Sequence, residues 1–342
     1  MLVDFYLPAD AGVVGAPGHA RRAATAGFDG FFSADTGHEP FLPIAAAAQH
    51  APGLDFGTAI AVAFPRSPMV TAMTAWDLQA ATGGRFLLGL GTQVRGHIVR
   101  RFSTEWSSPG PRLREYVQAL RAIWTSFQEG APLRFGGDFY NFSLMTPFFD
   151  PGPIDHSFPK VFISAVGPYN CRLVGELCDG IHVHPFHTVG YLRSHVLPLI
   201  AEGAGRAGRD VGEVELASTV ICVTGTDDES MERSREAARQ QVAFYASTPA
   251  YRGVLEAEGW DVGPQLTALS KRQRWDEMPA LVSDEMLETV AVVAPVAELG
   301  AAIRARYEGL LHRVGYYTLA GALDDLDEEA WASLVADTRG TG

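Results

Sequence analysis

Three histidines in the segment 181–187 are the side chains with the clearest chemical potential. His182 and His184 lie in a short apolar stretch that reads as a strand, and His187 follows it. Because successive side chains of a strand point to opposite faces, His182 and His184 share one side. They could contact a ligand, bind a metal with His187 in an HxHxxH pattern, or fill polar positions of the core. We favour ligand contact, because the sequence identifies no partners that would complete a metal site.

A second polar group, Asp35 and His38, follows the predicted strand Gly30–Ser33. Histidine is the natural proton donor or acceptor near neutral pH. Functional residues are also concentrated in loops that a rigid scaffold positions. We therefore take His38 and Asp35 as candidate catalytic residues. The alternative is a solvated loop in which the aspartate caps a turn.

The stretch from Gly57 to Arg95 indicates the kind of element that would position such side chains. Phe56–Val62 predicts a buried strand, Met69–Ala81 a helix, and Phe86–Leu90 a second strand buried on both faces. Gly91-Thr92-Gln93 then brings bare backbone and small polar side chains to the carboxyl end of that strand. In α/β proteins ligands bind at this end, so the stretch predicts half of a ligand site.

The same alternation of strand and helix continues through most of the 342 residues. It predicts an α/β fold, a (β/α)8 TIM barrel that forms a single domain over residues 1–342. Two segments, 130–158 and 247–282, interrupt the alternation with glycine, proline and aromatic residues. We expect them to be insertions that cover the C-terminal face of the barrel.

Composition narrows the possible partners. The formal net charge is −13 and no run of basic residues is present, which argues against nucleic acid and membrane surfaces as partners. Neither a secretion signal nor an apolar run of membrane-spanning length is evident, so we expect a cytoplasmic protein. The cysteines Cys171, Cys178 and Cys222 are too few for a disulfide framework and are expected to be buried thiols.

With these elements in place, the chain resembles the luciferase-like monooxygenase superfamily, and within it the oxidoreductases that use the deazaflavin coenzyme F420. The resemblance covers most of the chain. The ordered set of matching residues is fairly specific for the superfamily, and it is less specific for the use of F420 rather than FMN as the coenzyme. The matching residues are Thr58-Ala59-Ile60-Ala61-Val62, Ser67-Pro68, Trp76-Asp77, Gly83-Gly84-Arg85-Phe86, Gly89-Leu90-Gly91, Arg112–Arg121 with Glu115, Gly167-Pro168, Asp179-Gly180 and His182-Val183-His184-Pro185.

This resemblance implies a barrel with the coenzyme ring at the carboxyl ends of the strands. It implies a non-proline cis peptide at Ala59-Ile60 against the ring, and a phosphate held at Val166-Gly167-Pro168, where a helix N-terminus favours an anion. Family members are usually dimers, so a homodimer is expected. The residues expected to contact the coenzyme are Ala59, Ile60, Ala61, Gly91, Thr92, Gln93, Val166, Gly167, Pro168, His182 and His184.

Val94 departs from the family pattern in an informative way. Sugar-phosphate dehydrogenases of this superfamily carry a catalytic glutamate at this place, so the departure argues against a sugar-phosphate substrate. Beyond it, Arg95, His97, Arg100 and Arg101 form a small basic group. This group could meet an anionic coenzyme tail or could be a solvated helix face.

The predicted function is hydride transfer between coenzyme F420 and an unidentified small organic substrate. An FMN-dependent monooxygenase on the same barrel is the first alternative. A metal-dependent hydrolase that uses His182 and His184 is a further alternative, whereas the favoured interpretation requires no metal.

Overall fold

The computed structural model describes residues 1–340, and its centre is a ring of parallel strands. Each strand bonds to the next, and the last returns to the first through the partners Leu2 with Arg313 and Val3 with Val314. The predicted (β/α)8 barrel is therefore confirmed. The strands of the ring are β1 (Leu2–Tyr6), β2 (Gly30–Ser33), β3 (Asp55–Thr58), β4 (Phe86–Gly91), β5 (Lys160–Ala165), β6 (Gly180–Val183), β7 (Glu215–Val223) and β8 (Arg313–Thr318).

Helices surround the ring. They are α1 (Gly12–Thr25), α2 (Phe41–Ala48), α3 (Pro68–Ala81), α4 (Arg95–Arg100), α5 (Pro109–Glu129), α6 (Pro168–Leu177), α7 (Val189–Tyr191), α8 (Leu197–Ala207), α9 (Asp228–Ala246), α10 (Arg252–Ala257), α11 (Gly263–Lys271), α12 (Asp284–Val290), α13 (Val296–Tyr307) and α14 (Glu328–Arg339). A π-helical turn joins α7 to α8, and four 3-10 turns lie at Val211–Glu213, Pro249–Tyr251, Trp275–Glu277 and Pro279–Leu281. Within residues 1–340, no helix is both long enough and apolar enough to cross a lipid bilayer.

Local sequence explains where several helices begin. The Ser67 side chain accepts a hydrogen bond from the Met69 backbone N–H at 3.3 Å, and Pro68 occupies the first position of α3. Asp227 and Ser230 form a capping box at the start of α9. Ser283 caps α12 by accepting from the Met286 N–H at 3.1 Å, as its sequence position predicts.

Aromatic side chains and facing glycines fill the inside of the barrel. Phe32 and Phe162 are completely buried there. A Cβ atom on Gly57 would overlap the Phe32 ring, and one on Gly180 would overlap the Phe162 ring. The glycines of β3 and β6 therefore provide the space in which the two rings pack.

A buried ion-pair network lies at the amino-terminal end of the barrel. Arg313 at the start of β8 binds both carboxylate oxygens of Asp4 on β1, at 2.7 and 2.9 Å. It also donates to Asp55 on β3 at 2.8 Å. The Arg313 and Asp4 side chains are only 3% and 0% exposed. The network therefore links strands β8, β1 and β3 through a buried Arg313–Asp4 pair and a partly exposed Asp55.

The segment 130–158 packs along α3 and α5. Its short strands Phe135–Gly136 and Asn141–Phe142 form a hairpin, which the Gly136-Gly137 pair within Leu133–Phe142 predicts, and the turn between them reaches Glu115 in α5. The Glu115 carboxylate accepts hydrogen bonds from the backbone N–H groups of Asp138, Phe139 and Tyr140. The sequence alone predicts a pair between Glu115 and Arg112 or Arg114 of the same helix, whereas the structure shows backbone amides of the hairpin as its partners.

The longer segment of chain between β7 and α13 covers the carboxyl-terminal end of the barrel. Helix α9 is part of this cover, since Tyr245 near its C-terminal end contacts His184, which follows β6. The Tyr245 hydroxyl also lies 3.1 Å from the hydroxyl of Tyr317 on β8. The short strand Val292–Val293 then pairs with the end of β7 before α13 begins. The cover is therefore longer than the predicted segment 247–282.

Candidate functional site

A cavity of about 210 Å³ lies among the carboxyl ends of the strands. Side chains from β1, β5, β6 and β7 line it, together with the chain that follows β3 and one tyrosine of the cover. None of these residues is Asp, Glu, Lys or Arg, so the lining is uncharged and partly polar. The lining residues are Tyr6, Ala59, Ile60, Ser164, Ala165, Val166, His182, Val183, His184, Pro185, Ser218, Thr219 and Tyr251.

The Ala59-Ile60 peptide bond is cis, as the resemblance implied, and both residues face the cavity. Backbone hydrogen bonds fix this segment to β2 and the loop after it: the Ala59 N–H donates to Ser33 O at 2.8 Å, and the Asp35 N–H donates to Ile60 O at 3.0 Å. Ala61, which is fully buried, pairs with Leu90 of β4.

Asp35 holds the same segment through its side chain. Its carboxylate accepts from the Val62 N–H at 3.1 Å and from Arg66 at 2.7 Å. The side chain is 5% exposed and is absent from the lining of the cavity. In this arrangement Asp35 positions the residues after β3 and does not face the ligand space itself.

Gly91 allows close packing behind the cavity. A Cβ atom there would lie 2.7 Å from both the Ile60 side chain and the Ser164 hydroxyl. Thr92 donates to the Gln93 carbonyl at 3.1 Å, and the Gln93 side chain accepts from the Val94 N–H at 2.9 Å. With a φ of 57°, Gln93 turns the chain into α4. Thr92 and Gln93 therefore shape this turn beside the cavity without lining it.

His182 is a buried residue of the cavity lining. Its ring is between those of Phe32 and Phe162, with centroid distances of 5.9 and 5.3 Å, and its Nε2 atom has no hydrogen-bond partner. A Cβ atom on Gly89 would lie 2.6 Å from this nitrogen. Burial, and then the nearby Arg313 charge, lower the pKa of His182 to about 3. The imidazole is therefore neutral at physiological pH.

His184 is held between two tyrosine rings of the cover. Tyr251 stacks on it at a centroid distance of 4.2 Å, and Tyr245 meets it edge-on at 4.6 Å. The Nδ1 atom of His184 accepts a hydrogen bond from the Phe186 N–H at 3.1 Å. Burial, followed by the neighbouring His187, lowers the pKa of His184 to about 3.

His187 does not join the other two histidines. It is 1% exposed, its Nδ1 lies 2.9 Å from the His184 carbonyl oxygen, and its ring packs against Tyr307 of α13. Burial lowers its pKa to about 4. Across the part of the chain that the structure describes, no three His, Cys, Asp or Glu side chains converge as metal ligands would. The HxHxxH pattern is therefore not assembled into a shared site.

The segment Val166-Gly167-Pro168 joins the cavity to the N-terminus of α6. Val166 lines the cavity, and its carbonyl accepts from the Tyr191 hydroxyl at 3.1 Å. Gly167 and Pro168 are exposed, and a Cβ atom on Gly167 would meet no atom within 4 Å. The open backbone at the positive end of a helix can accept an anionic group.

His38 lies elsewhere on the rim. It is exposed and packs against Gly12 at the start of α1, beside a separate cavity of about 50 Å³ between the loops after β1 and β2. The structure therefore does not bring His38 together with His182 and His184. The catalytic assignment of His38 and Asp35 stays a prediction.

Several polar residues of the site were not identified from the sequence. Tyr6 at the end of β1 and Ser164 on β5 could have been found, because each is a polar side chain near the carboxyl end of an apolar strand. Tyr245 and Tyr251 carry no such signal, since their place over His184 depends on how the cover folds back.

Comparisons with known proteins agree with this geometry. The family model of luciferase-like monooxygenases matches residues 12–313. An uncharacterized protein of Mycobacterium tuberculosis (strain ATCC 25618 / H37Rv) is 46% identical over 306 residues, which cover 87% of this chain and 90% of that protein. The 5,10-methylenetetrahydromethanopterin reductase of Methanolobus tindarius is 26% identical over 280 residues, covering 80% of this chain and 81% of that enzyme.

A solved structure shares the whole fold. The coenzyme F420-dependent tetrahydromethanopterin reductase from Methanopyrus kandleri aligns with a TM-score of 0.77 at 18% sequence identity, covering 99% of this chain and 98% of that chain. At this level of identity the likeness shows a common barrel architecture.

Proposed function

The chain belongs to the luciferase-like monooxygenase family, and from this premise we propose an oxidoreductase that transfers a hydride between coenzyme F420 and a small organic substrate. One observation carries the proposal: an uncharged cavity at the carboxyl ends of the strands continues through Val166 to the open N-terminus of α6. Such a site suits a ligand that joins a flat uncharged ring to a phosphate. The sequence relationship to a methylenetetrahydromethanopterin reductase supports the same class of reaction.

Different residues of this chain would bind different parts of the coenzyme. Ala59, Ile60 and Ala61 would support one side of the ring, with Gly91, Thr92 and Gln93 behind them. Val166, Gly167 and Pro168 would hold the phosphate, and His182 and His184 would border the ring or the substrate. When bound, the deazaflavin supplies the carbon that gives or takes the hydride, and the protein contributes binding, orientation and exclusion of water.

Binding of the coenzyme tests the proposal directly. Purified protein is titrated with F420 and, separately, with FMN, and quenching of ligand fluorescence gives each dissociation constant. We expect F420 to bind and Gly167→Asp to weaken it, because the added carboxylate repels a phosphate at α6. Gly53→Asp is the control, because Gly53 is exposed, lies outside the lining of the cavity, and a Cβ atom there would meet no atom within 4 Å. Binding of FMN without F420 would favour the monooxygenase alternative.

The proton donor is part of the same proposal. His38 was assigned this role from its position after β2, and mutation to alanine tests it. A general acid or base typically contributes about 100-fold or more to the rate. A loss of that size in His38→Ala would support the assignment. A small change would agree with its location beside the separate cavity.

We also propose that the protein forms a homodimer through α2 and α3. Leu42 on α2 and Val70 and Met73 on α3 are 57%, 55% and 50% exposed, although all three are apolar. The two helices pack against each other, so these side chains lie on neighbouring surfaces. Sedimentation of the wild type and of Met73→Glu tests this, with a shift to monomer expected in the variant. A monomeric wild type would contradict the proposal.

A further inference from the structure

The His184 ring is immobilised from several directions. Tyr251 stacks on one face, with an interplanar angle of 26°, and Tyr245 contacts it at 84°. The Phe186 backbone N–H donates a hydrogen bond to Nδ1 of His184. The His184 carbonyl oxygen accepts a hydrogen bond from Nδ1 of the His187 ring. Side-chain and backbone contacts together set the orientation of the imidazole. Such a ring is organised before any ligand arrives.

These contacts also determine which nitrogen carries the proton. Because a backbone N–H can only donate, Nδ1 of His184 must be the acceptor, and the proton of a neutral ring resides on Nε2. His187 behaves in the opposite way, since its Nδ1 faces a carbonyl oxygen and must donate. The two histidines therefore adopt different neutral tautomers.

The surroundings of His184 keep the ring neutral. The titratable groups that face it are Tyr245 and Tyr251 from the cover and His187 from its own loop, and His182 lines the same cavity. Burial lowers the pKa of His184 to about 3 and raises that of Tyr251 to about 12. No carboxylate lines the cavity to stabilise an imidazolium ion.

We propose that His184 presents its Nε2–H as a fixed, neutral hydrogen-bond donor to an uncharged carbonyl oxygen bound in the cavity. The uncharged lining selects an uncharged group, and a neutral imidazole can polarise a carbonyl without first becoming charged. The carbonyl belongs either to the coenzyme ring or to the substrate. The role in catalysis rests on the proposed function, whereas the tautomer of the ring does not.

The tautomer is measured on the ligand-free chain. Two-bond ¹H–¹⁵N correlation spectra of protein labelled at histidine distinguish protonated from unprotonated ring nitrogens, and His184→Phe assigns the signal. We expect His184 to show a protonated Nε2 and an unprotonated Nδ1 from pH 5 to 8. A proton on Nδ1, or a doubly protonated ring in this range, would overturn the proposal.

Three substitutions then separate the functions of the ring. His184→Gln retains a donor near the position of Nε2. His184→Asn retains an acceptor for the Phe186 N–H and loses that donor. His184→Phe keeps an aromatic ring between the tyrosines and loses both. A neutral hydrogen bond changes affinity by about 2- to 10-fold. Thermal unfolding midpoints check that each variant is folded, and Tyr251→Phe is a separate variant that keeps the ring stacked on His184 and removes only the hydroxyl.

The source of the carbonyl follows from two probes, F420 and cyclohexanone. If the oxygen belongs to the coenzyme, F420 shifts the Nε2–H signal and binds about 2- to 10-fold more weakly to the Phe and Asn variants than to the Gln variant. If it belongs to the substrate, cyclohexanone shifts that signal and F420 affinity is unchanged. Both results support the donor, and no shift with either probe would contradict it.

If the proposed coenzyme is wrong, the result differs from a failure of the His184 donor. A wild-type chain that binds FMN and not F420 would contradict the proposed coenzyme. The three variants would then be compared with FMN as the probe, and equal affinity of all three together with an unmoved Nε2–H signal would contradict the donor.

Discussion

At the scale of single residues, the site depends on side chains that hold backbone in place. Asp35 is the clearest case, because one carboxylate binds both the Val62 N–H and Arg66. The sequence indicated an acidic residue near the site and suggested chemistry for it. Its observed contacts give it a positioning role for the segment after β3, which only the three-dimensional arrangement reveals.

The variant Asp35→Leu should therefore weaken coenzyme binding more than it changes the global fold. Losing the acceptor leaves the Val62 N–H unsatisfied, which costs about 1–3 kcal/mol and releases the Ala59–Val62 segment. Glu39→Gln is a matched control, because Glu39 also binds Arg66, at 3.2 Å, and is partly exposed. Fluorescence titration with F420 measures the effect. Equal affinity in the two variants would exclude the positioning role.

The three buried histidines predict a steep loss of stability in acid. Each has a folded pKa of about 3 or 4 against an ordinary value of 6.5, so the unfolded chain binds the proton first. Their stabilising contribution is complete above pH 6.5 and is lost as the pH falls from there towards 3 to 4. Each histidine adds a slope of about 1.4 kcal/mol per pH unit within this range.

Denaturant unfolding between pH 7 and pH 5 measures that slope. His182→Leu should make it shallower by the contribution of one histidine. His97→Gln should leave it unchanged, because His97 is exposed. A slope that is the same in all three proteins would show that His182 takes no part in the acid sensitivity.

At the scale of elements, the sequence predicts the bounds of helices and strands better than it predicts how they pack against one another. The helix predicted over Met69–Ala81 is observed at Pro68–Ala81, and the strand predicted over Phe86–Leu90 extends to Gly91. These elements follow from local patterns of apolar residues, turns and caps. Periodicity carries no information about where a helix lies once the chain leaves the barrel. The contact of Tyr245 with His184 therefore had no local signal.

Glu115 shows the same limit at closer range. Arg112 lies three residues before Glu115 on the same helix, a spacing that favours an ion pair, so a local pair is the natural prediction. The carboxylate is instead held by three backbone N–H groups of the hairpin 135–142. A turn that offers several amides satisfies this buried carboxylate without a second charge. Such contacts become visible only when two distant segments are placed side by side.

At the scale of the whole molecule, a buried ion pair between Arg313 and Asp4 joins the last strand of the barrel to the first. Arg313→Met should destabilise the protein by about 3–5 kcal/mol, because Asp4 would be left buried without its partner. Arg233→Met is the control, since its pair with Glu229 is 58% and 84% exposed and contributes about 0–1 kcal/mol. Urea unfolding of both variants compares them, and similar losses would argue against a special role for the buried network.

The packing of each phenyl ring against a glycine means that substitutions at the two positions of such a pair should affect stability jointly. Gly57→Ala alone should destabilise the chain, because the new methyl group would overlap the Phe32 ring. Combined with Phe32→Leu, it should cost less than the sum of the two single changes, since the smaller side chain removes the overlap with the ring and leaves only the close contact of the methyl group with the Leu87 carbonyl oxygen, at 2.8 Å. A double-mutant cycle in urea measures this coupling, and strict additivity would contradict it. A large side chain on one strand of this interior thus limits the size of the residue that the neighbouring strand can carry.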